Sequence, residues 1–415
     1  MRMKVKVLAV LAGVAAIAAV AVTTASGAQK ADPGITATSI KIGGTFPLTG
    51  PASLYKIIPA AEKAYFDYVN ETKGGVNGRK IDFKILDDAY SPSQTVPLTQ
   101  QLVEQEKVFA VYGSLGTAPN LAIWDYLNRL KVPHVLLATG DSYWGFSAKK
   151  YPWTTGFQPD YPGESKIYGR YINANLPSAK VGVIYQNDAF GKNYLAGLRV
   201  GLGAQKSKIV SAQPFDIGAP SVQQQILALK GAGADTLVIF ATPTQAIQSL
   251  VLAAKTAWNP ANIFLSNVSG IGTFVKLAAA NGAKVDGIIT AGWVNDVSVP
   301  AYAETAGGKL GKEILAKYAP ALDPTNSLTF YGLADAWTMV YALQQAGKTP
   351  TRAGLLQALK SLDPKKAKNP FLAPGILMQT GAKDNFPIEQ IQLVRWGGGN
   401  TGTWQPFGAI RDKVR

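Results

Sequence analysis

The sequence predicts an α/β fold built on parallel sheets, and three observations carry that prediction. Short apolar stretches alternate with amphipathic helical stretches almost throughout the chain. Polar residues and glycines gather just after each apolar stretch, and in open parallel sheets ligands bind beyond the carboxyl ends of the strands. Once a leader is set aside nearly 390 residues remain, which suggests two domains at roughly 100–200 residues each.

The leader comes first. Arg2, Lys4 and Lys6 precede an apolar run from Val7 to Val22 and then the small residues Ala25, Ser26, Gly27 and Ala28. That is the pattern of a secretory signal peptide, here over 1–28. Its apolar run falls short of the roughly 20 residues that span a bilayer. The expectation is an exported protein, in the periplasm or another extracytoplasmic space, soluble after signal cleavage. With no cysteine near the cleavage zone it is expected not to be a lipoprotein. Cysteine is absent from all 415 residues, which removes thiol catalysis and cysteine-ligated metals. A chain of this length buries enough apolar surface without disulfides. The net charge is +15, yet Lys and Arg are scattered with no run of five or more. A solvated basic surface explains this better than a nucleic-acid partner.

The elements then follow in order. A strand through Ile40 and Ile42 enters a glycine-rich loop, and a helix runs through Tyr55, Ala60, Ala64, Phe66 and Val69. A turn over Lys73–Lys80 leads to a strand through Ile81, Phe83 and Ile85, ending at Asp87-Asp88. Further strands are expected at Val108–Tyr112, Val132–Leu137, Val181–Tyr185, Thr236–Phe240, Ile263–Leu265 and Gly287–Ala291. Helical periods begin after Asn120, Gly191 and Thr244. Tyr151–Pro162, dense in proline, glycine and aromatics, reads as a crossing between domains rather than a strand interior.

Groups for catalysis are scarce. His134 is the only histidine, and inside an apolar strand it reads as a packed residue. No Gly-x-Ser-x-Gly elbow occurs. Asp87 and Asp88 are adjacent on an extended strand, so their side chains point to opposite faces and read as turn caps. The expectation is no enzyme, no metal and no cofactor.

Groups for gripping an anion are better represented. Thr117, beside Pro119 at the start of a helix, offers a hydroxyl and free N–H groups, and helix N-termini favour negative charge. Ala138-Thr139-Gly140-Asp141 offers the same donors from the neighbouring strand end. Tyr55, Tyr143, Trp144, Phe190 and Trp293 fall in or beside strand-end loops and suit the walls of a small-molecule cleft.

These residues carry a resemblance. Ile42-Gly43 through Pro47-Leu48-Thr49-Gly50-Pro51, Gly74-Gly75-Val76-Asn77-Gly78-Arg79-Lys80, Asp87-Asp88, Gly113 through Thr117, Phe190-Gly191 and Gly231-Ala232-Gly233-Ala234-Asp235 together resemble the leucine/isoleucine/valine-binding group of periplasmic solute-binding proteins of ABC transporters. The resemblance spans the mature chain. It implies a two-lobed periplasmic binding protein fold of type I, with a three-segment hinge, closing on a ligand. Lobe 1 would comprise 36–155 with 294–372, and lobe 2 would comprise 156–293 with 373–415. Thr117 would meet the ligand carboxylate, Thr139, Gly140 and Asp141 would add contacts, and Tyr55, Phe190 and Trp293 would form walls. Phe190 stands where the family usually has tyrosine. Where the amino-acid binders hold the ligand ammonium with a tyrosine and an acidic residue, this chain reads Ala241-Thr242-Pro243 and Asn267-Val268-Ser269. Thr242 and Val268 are then the expected contacts, and a carboxylate or amide with an apolar or aromatic body is favoured over an amino acid. The implied partners are a small organic solute and an inner-membrane ABC permease, docked transiently by a monomer. The alternative is the same trap serving a sensor.

Overall fold

The first apolar stretch becomes β1 (Ser39–Phe46), with Ile40, Ile42 and Phe46 buried. One turn of 3-10 helix leads into α1 (Ile57–Thr72), whose Ile58, Ala61, Tyr65 and Val69 turn inward at helical spacing. The computed structural model describes residues 31–146, 149–381 and 384–411, so the expected signal peptide over 1–28 lies outside the described residues.

The Gly-Gly-Val-Asn-Gly-Arg turn that follows α1 is a structural staple. Val76 and Arg79 exchange backbone hydrogen bonds around Asn77 (φ 51°) and Gly78 (φ 81°), the left-handed pair that a two-residue hairpin turn requires. Arg79 then donates to the carbonyls of Thr36 and Lys348, and Asn77 to that of Gly347. The motif most specific to the resemblance thus ties chain segments together at the amino end of β2, the end opposite the strands' carboxyl ends.

β2 (Lys80–Asp87), α2 (Pro92–Gln100), β3 (Ala110–Tyr112), α3 (Thr117–Arg129), β4 (His134–Leu137), α4 (Tyr143–Phe146) and β5 (Thr154–Gly156) complete the first half. Its sheet is parallel, in the order β2-β1-β3-β4-β5. The expected crossing at Tyr151–Pro162 therefore needs correction, because it contains β5. The prolines 152, 159 and 162 flank that strand, and β5 lies at a sheet edge, where proline-rich flanks are tolerated.

The second half runs α5 (Tyr161–Asn175), β6 (Val181–Gln186), α6 (Ala189–Leu202), β7 (Ile209–Phe215), α7 (Gln223–Gly231), β8 (Thr236–Phe240), α8 (Pro243–Lys255), β9 (Asn262–Leu265), α9 (Gly272–Ala280) and β10 (Ile289–Gly292). There follow α10 (Pro300–Ala303), α11 (Ala306–Tyr318), α12 (Ser327–Gln345), α13 (Arg352–Leu359), β11 (Ile391–Gly397) and β12 (Thr403–Arg411). The second sheet has the order β12-β11-β10-β9-β8-β6-β7. It is parallel from β7 to β10, and β11 and β12 add antiparallel at one edge, so this sheet is mainly rather than wholly parallel. β8 is buried along its whole length, as a parallel strand covered on both faces must be.

After β10 the chain returns to the first sheet's side, where α11 and α12 pack on α1 and α13 reaches β5. The outgoing and returning strands run side by side, with Asn295 N donating to Phe371 O and Ala373 N to Trp293 O. Together with the segment after β5, the chain passes between the sheets three times.

Candidate functional site

A cavity opens where the carboxyl ends of both sheets face each other. Its walls include Tyr55 after β1, Tyr90 after β2, Leu115 and Gly116 after β3 and Ala138 after β4. Opposite stand Phe190 after β6, Thr242 after β8, Asn267 and Val268 after β9, and Trp293 after β10. The space between the walls, open mouth included, is about 960 Å³.

On the first-sheet side the polar groups answer one another. Gly116 caps α3 at φ 101°, where a Cβ would lie 2.6 Å from the Tyr90 ring, so only glycine fits. Asn120 donates to the carbonyls of Ser114 and Gly116 and fixes that loop. Its side-chain oxygen lies 2.6 Å from His134 Nε2. Burial pushes the His134 imidazole down to about 3, so the ring is neutral and its Nε2–H donates to Asn120. His134 is therefore a packed residue that positions the loop, on an interior strand of the sheet.

Thr117 and Thr139 are buried with their hydroxyls 2.6 Å apart. One O–H joins them, and one is left to give. The hydroxyl of Tyr161 faces both threonines and the Gly140 amide, and Tyr161, unlike the threonines, lines the cavity. Asp141 accepts from Tyr143 N and from Asn193 Nδ2, and burial first of all raises it to about 6. Asp87 accepts from Leu48, Thr49 and Ala89 amides, and Asp88 from Tyr90 N and Thr95, so the two carboxylates act as turn caps as expected.

Hydrogen bonds also cross the cleft. Tyr55 donates to Val268 O at 3.0 Å, Thr244 to Pro51 O at 3.1 Å, and Asn193 to Asp141 at 2.8 Å. The two sides are held together over the cavity.

The second-sheet side is built differently. Thr242 donates to Gln186 Oε1. Phe190 packs edge-on to Tyr161, and Trp293 edge-on to Phe157 and Tyr331. Behind Asn267 lies Glu164, fully buried on α5, which accepts from Tyr168, Tyr194 and both the amide and side chain of Asn267. Burial outweighs those donors and raises Glu164 to about 7. Gln158, at the cavity wall, accepts from Tyr331 at 2.9 Å, while its buried Nε2 has no partner among the described residues. Under the floor, Glu62 of α1 and Asp335 of α12 face each other with burial raising both, so the pair retains a proton.

The structure thus places Tyr55, Phe190, Thr242, Val268 and Trp293 on the cavity wall, and Thr117, Thr139, Gly140 and Asp141 directly behind it. Tyr90, Gln158, Tyr161, Tyr331 and Asp296 also line the cavity, beyond the residues that the sequence predicts. Tyr161 and Gln158 fall in or beside the proline-rich stretch, whose aromatic density was the available signal. Asp296 is the acidic residue of the wall, and it comes from the crossing segment rather than from the strand ends. Among the described residues no helix is long and apolar enough to cross a membrane, and none group as a metal site of three or more acidic, histidine or cysteine side chains.

Two sheets whose strand ends enclose one aromatic-walled cavity define a solute-binding protein of type I architecture. A family model described as periplasmic binding protein matches residues 39–401, and the chain belongs to that family. The Leu/Ile/Val-binding protein homolog 7 of Brucella melitensis biotype 1 is 22% identical over 391 residues, which cover 91% of this chain and 94% of that protein. Other curated relatives are matched over about half of their own length. Among solved structures, a branched-chain amino acid ABC transporter protein from Thermus thermophilus with bound valine has a TM-score of 0.77 at 19% identity, covering 90% of this chain and 96% of that one. A solute-binding protein of an ABC transporter from Rhodopseudomonas palustris BisB5, in complex with 3,4-dihydroxybenzoic acid, has a TM-score of 0.73 at 20% identity, covering 91% and 98%.

Proposed function

We propose that this protein is the extracytoplasmic binding component of an ABC transporter, which captures a small organic carboxylate or amide by lobe closure and delivers it to a membrane permease. Residues 36–155 with 294–372 act as one lobe and 156–293 with 373–415 as the other. The observation that carries the reading is the cavity at both sets of strand ends, bridged by hydrogen bonds from Tyr55, Thr244 and Asn193. Those bonds exist only when the lobes meet, so a solute filling the cavity shifts the open–closed balance toward closure.

The Tyr161 hydroxyl meets the solute's negative end, backed by the hydroxyl left over from the Thr117–Thr139 pair and by the Gly140 amide, while Asp141 holds that loop through Tyr143 N and Asn193. Tyr55, Phe190, Thr242, Val268 and Trp293 flank its body. The Gln158 Nε2 supplies a further donor. Among the described residues the carboxylates at these strand ends are already engaged, Glu164 by four donors, Asp141 by Tyr143 N and Asn193, and Asp188 by Gln186 and Gly191 N, which leaves none free for an α-ammonium there. Acids and amides with apolar or aromatic bodies are therefore the favoured solutes.

A thermal-shift screen of the purified protein against valine, 3,4-dihydroxybenzoate, phenylacetate, butanoate and their amides tests this, because binding to the native state raises apparent stability. An acid or amide that raises the melting temperature in a concentration-dependent way supports the reading. Chemical conversion of the solute during incubation would overturn it.

A further inference from the structure

The cavity continues past Trp293 onto one face of the second sheet. In paired antiparallel strands, residues directly opposite each other share a face, and so do alternate residues along a strand. Thr290 is opposite Val394, Gly292 opposite Gln392, and Trp396 opposite Trp404. One face of β10, β11 and β12 therefore carries this whole set, and Thr290, Gly292, Gln392, Val394 and Trp404 line the cavity. Val299, Tyr302 and Asp296, from the segment after β10, line the same cavity, and hydrogen bonds between Ser298 and Thr403 set that segment beside Trp404. Gly292 keeps the passage open, since a Cβ there would come within 3.0 Å of Val394.

At this extension stands a donor without an acceptor. Trp404 is 3% exposed, and its indole Nε1 has no hydrogen-bond partner among the described residues. Buried indole N–H groups ordinarily find one. Elsewhere in this chain they do: Trp396 donates to Gly399 O, Trp258 to Ala234 O and Trp124 to Thr154 Oγ1. Asp296 supplies the complementary chemistry. Its Oδ1 accepts from Ser298 N, and the side chain, 8% exposed, lies on the cavity wall.

We propose that this extension is a second subsite, which receives the far end of an elongated solute carrying both a hydrogen-bond acceptor and a donor, an amide or an alcohol. The solute's oxygen accepts from Trp404 Nε1, its N–H or O–H donates to Asp296, and an apolar middle section lies along Thr290, Gly292 and Val394. The inference rests on the reading of the main cavity as a site for small acids.

The test is a calorimetric titration of the purified protein with butanoate, hexanoate, octanoate and decanoate, and with the ω-amide and ω-hydroxy counterparts of the three longer acids. At one or more lengths the polar-ended acid should bind at least about tenfold tighter than its methyl-ended equivalent, because a site built around buried polar groups rejects a solute that leaves them unpaired. Trp404→Phe and Asp296→Ala should each bring that ratio to within about twofold of one. Trp404→Phe keeps a ring against Trp396, and should either variant fail to fold, the other and the wild-type ratio still decide. A ratio near one at every length, with any of the acids binding, overturns the subsite and leaves the proposed function standing. A large ratio that persists in both variants also overturns it. If no acid of any length binds, the subsite falls together with the reading it rests on.

Discussion

The two sides of the cavity handle buried polarity in opposite ways. At the first-sheet wall and directly behind it the polar groups pair with one another, Thr117 with Thr139 and Asp141 with Asn193. At the second-sheet and crossing-segment wall, Gln158 Nε2 and Trp404 Nε1 have no partner among the described residues. The difference separates residues that shape the site from residues that await a solute. A buried donor left unpaired costs about 1–3 kcal/mol, and a ligand that pairs it recovers that cost.

The contrast extends to protons, and there it can be broken most forcefully. His134 has its pKa pushed down from 6.5 to about 3 by burial. The unfolded chain takes up a proton below 6.5 while the folded chain does not, so stability falls as pH drops from 6.5 toward 3. At roughly 1.4 kcal/mol per pH unit that amounts to about 5 kcal/mol. Glu164 has the opposite sign, raised from 4.5 to about 7. The folded chain keeps a proton that the unfolded chain has lost, so stability falls as pH rises from 4.5 to 7, by about 3 kcal/mol on the same arithmetic. Urea unfolding across pH 3–8 should show the acid-side loss flattened in His134→Gln and the rise-side loss flattened in Glu164→Gln. Identical pH profiles for wild type and either variant would remove that group from the comparison.

Smaller effects sharpen it. Thr117→Ala should weaken binding of a carboxylate found by thermal shift by about 1–3 kcal/mol, since it removes the hydroxyl pair behind Tyr161. Unchanged affinity would place Thr117 outside the site. Tyr55→Phe should weaken the same solute by about 1 kcal/mol, through loss of the bond to Val268 O. Small-angle scattering should then show a larger open fraction at equal solute concentration, and an unchanged fraction would mean that this bond does not hold the lobes shut.

Much of this architecture could be read in the residues. The alternation of apolar strands and helical periods located eight strands of the α/β pattern, and Thr236–Phe240 matches β8 at both ends. β5 stayed hidden because three residues among prolines leave no period to detect. β11 and β12 stayed hidden because their antiparallel return follows a long excursion through α10–α13, and no local signal announces which sheet they join. For the site, strand-end position and the resemblance together picked out Tyr55, Phe190, Thr242, Val268 and Trp293, which do reach the cavity, whereas Tyr143 and Trp144 do not line it. They could not rank Thr117 behind Tyr161, since depth behind a wall depends on the packing of α5 against the first sheet's loops. Nor could they find Trp404, whose place on the cavity wall comes from cross-strand register alone.

Two of the bonds across the cleft end on main-chain oxygens, those of Val268 and Pro51. Every amino acid supplies that oxygen, so positions 268 and 51 are free to diverge for solute preference without unfastening the clasp. The burden of inheritance falls instead on Tyr55 and Thr244, whose hydroxyls no other part of the chain replaces. Selectivity and closure can in this way evolve along separate tracks within the same loops.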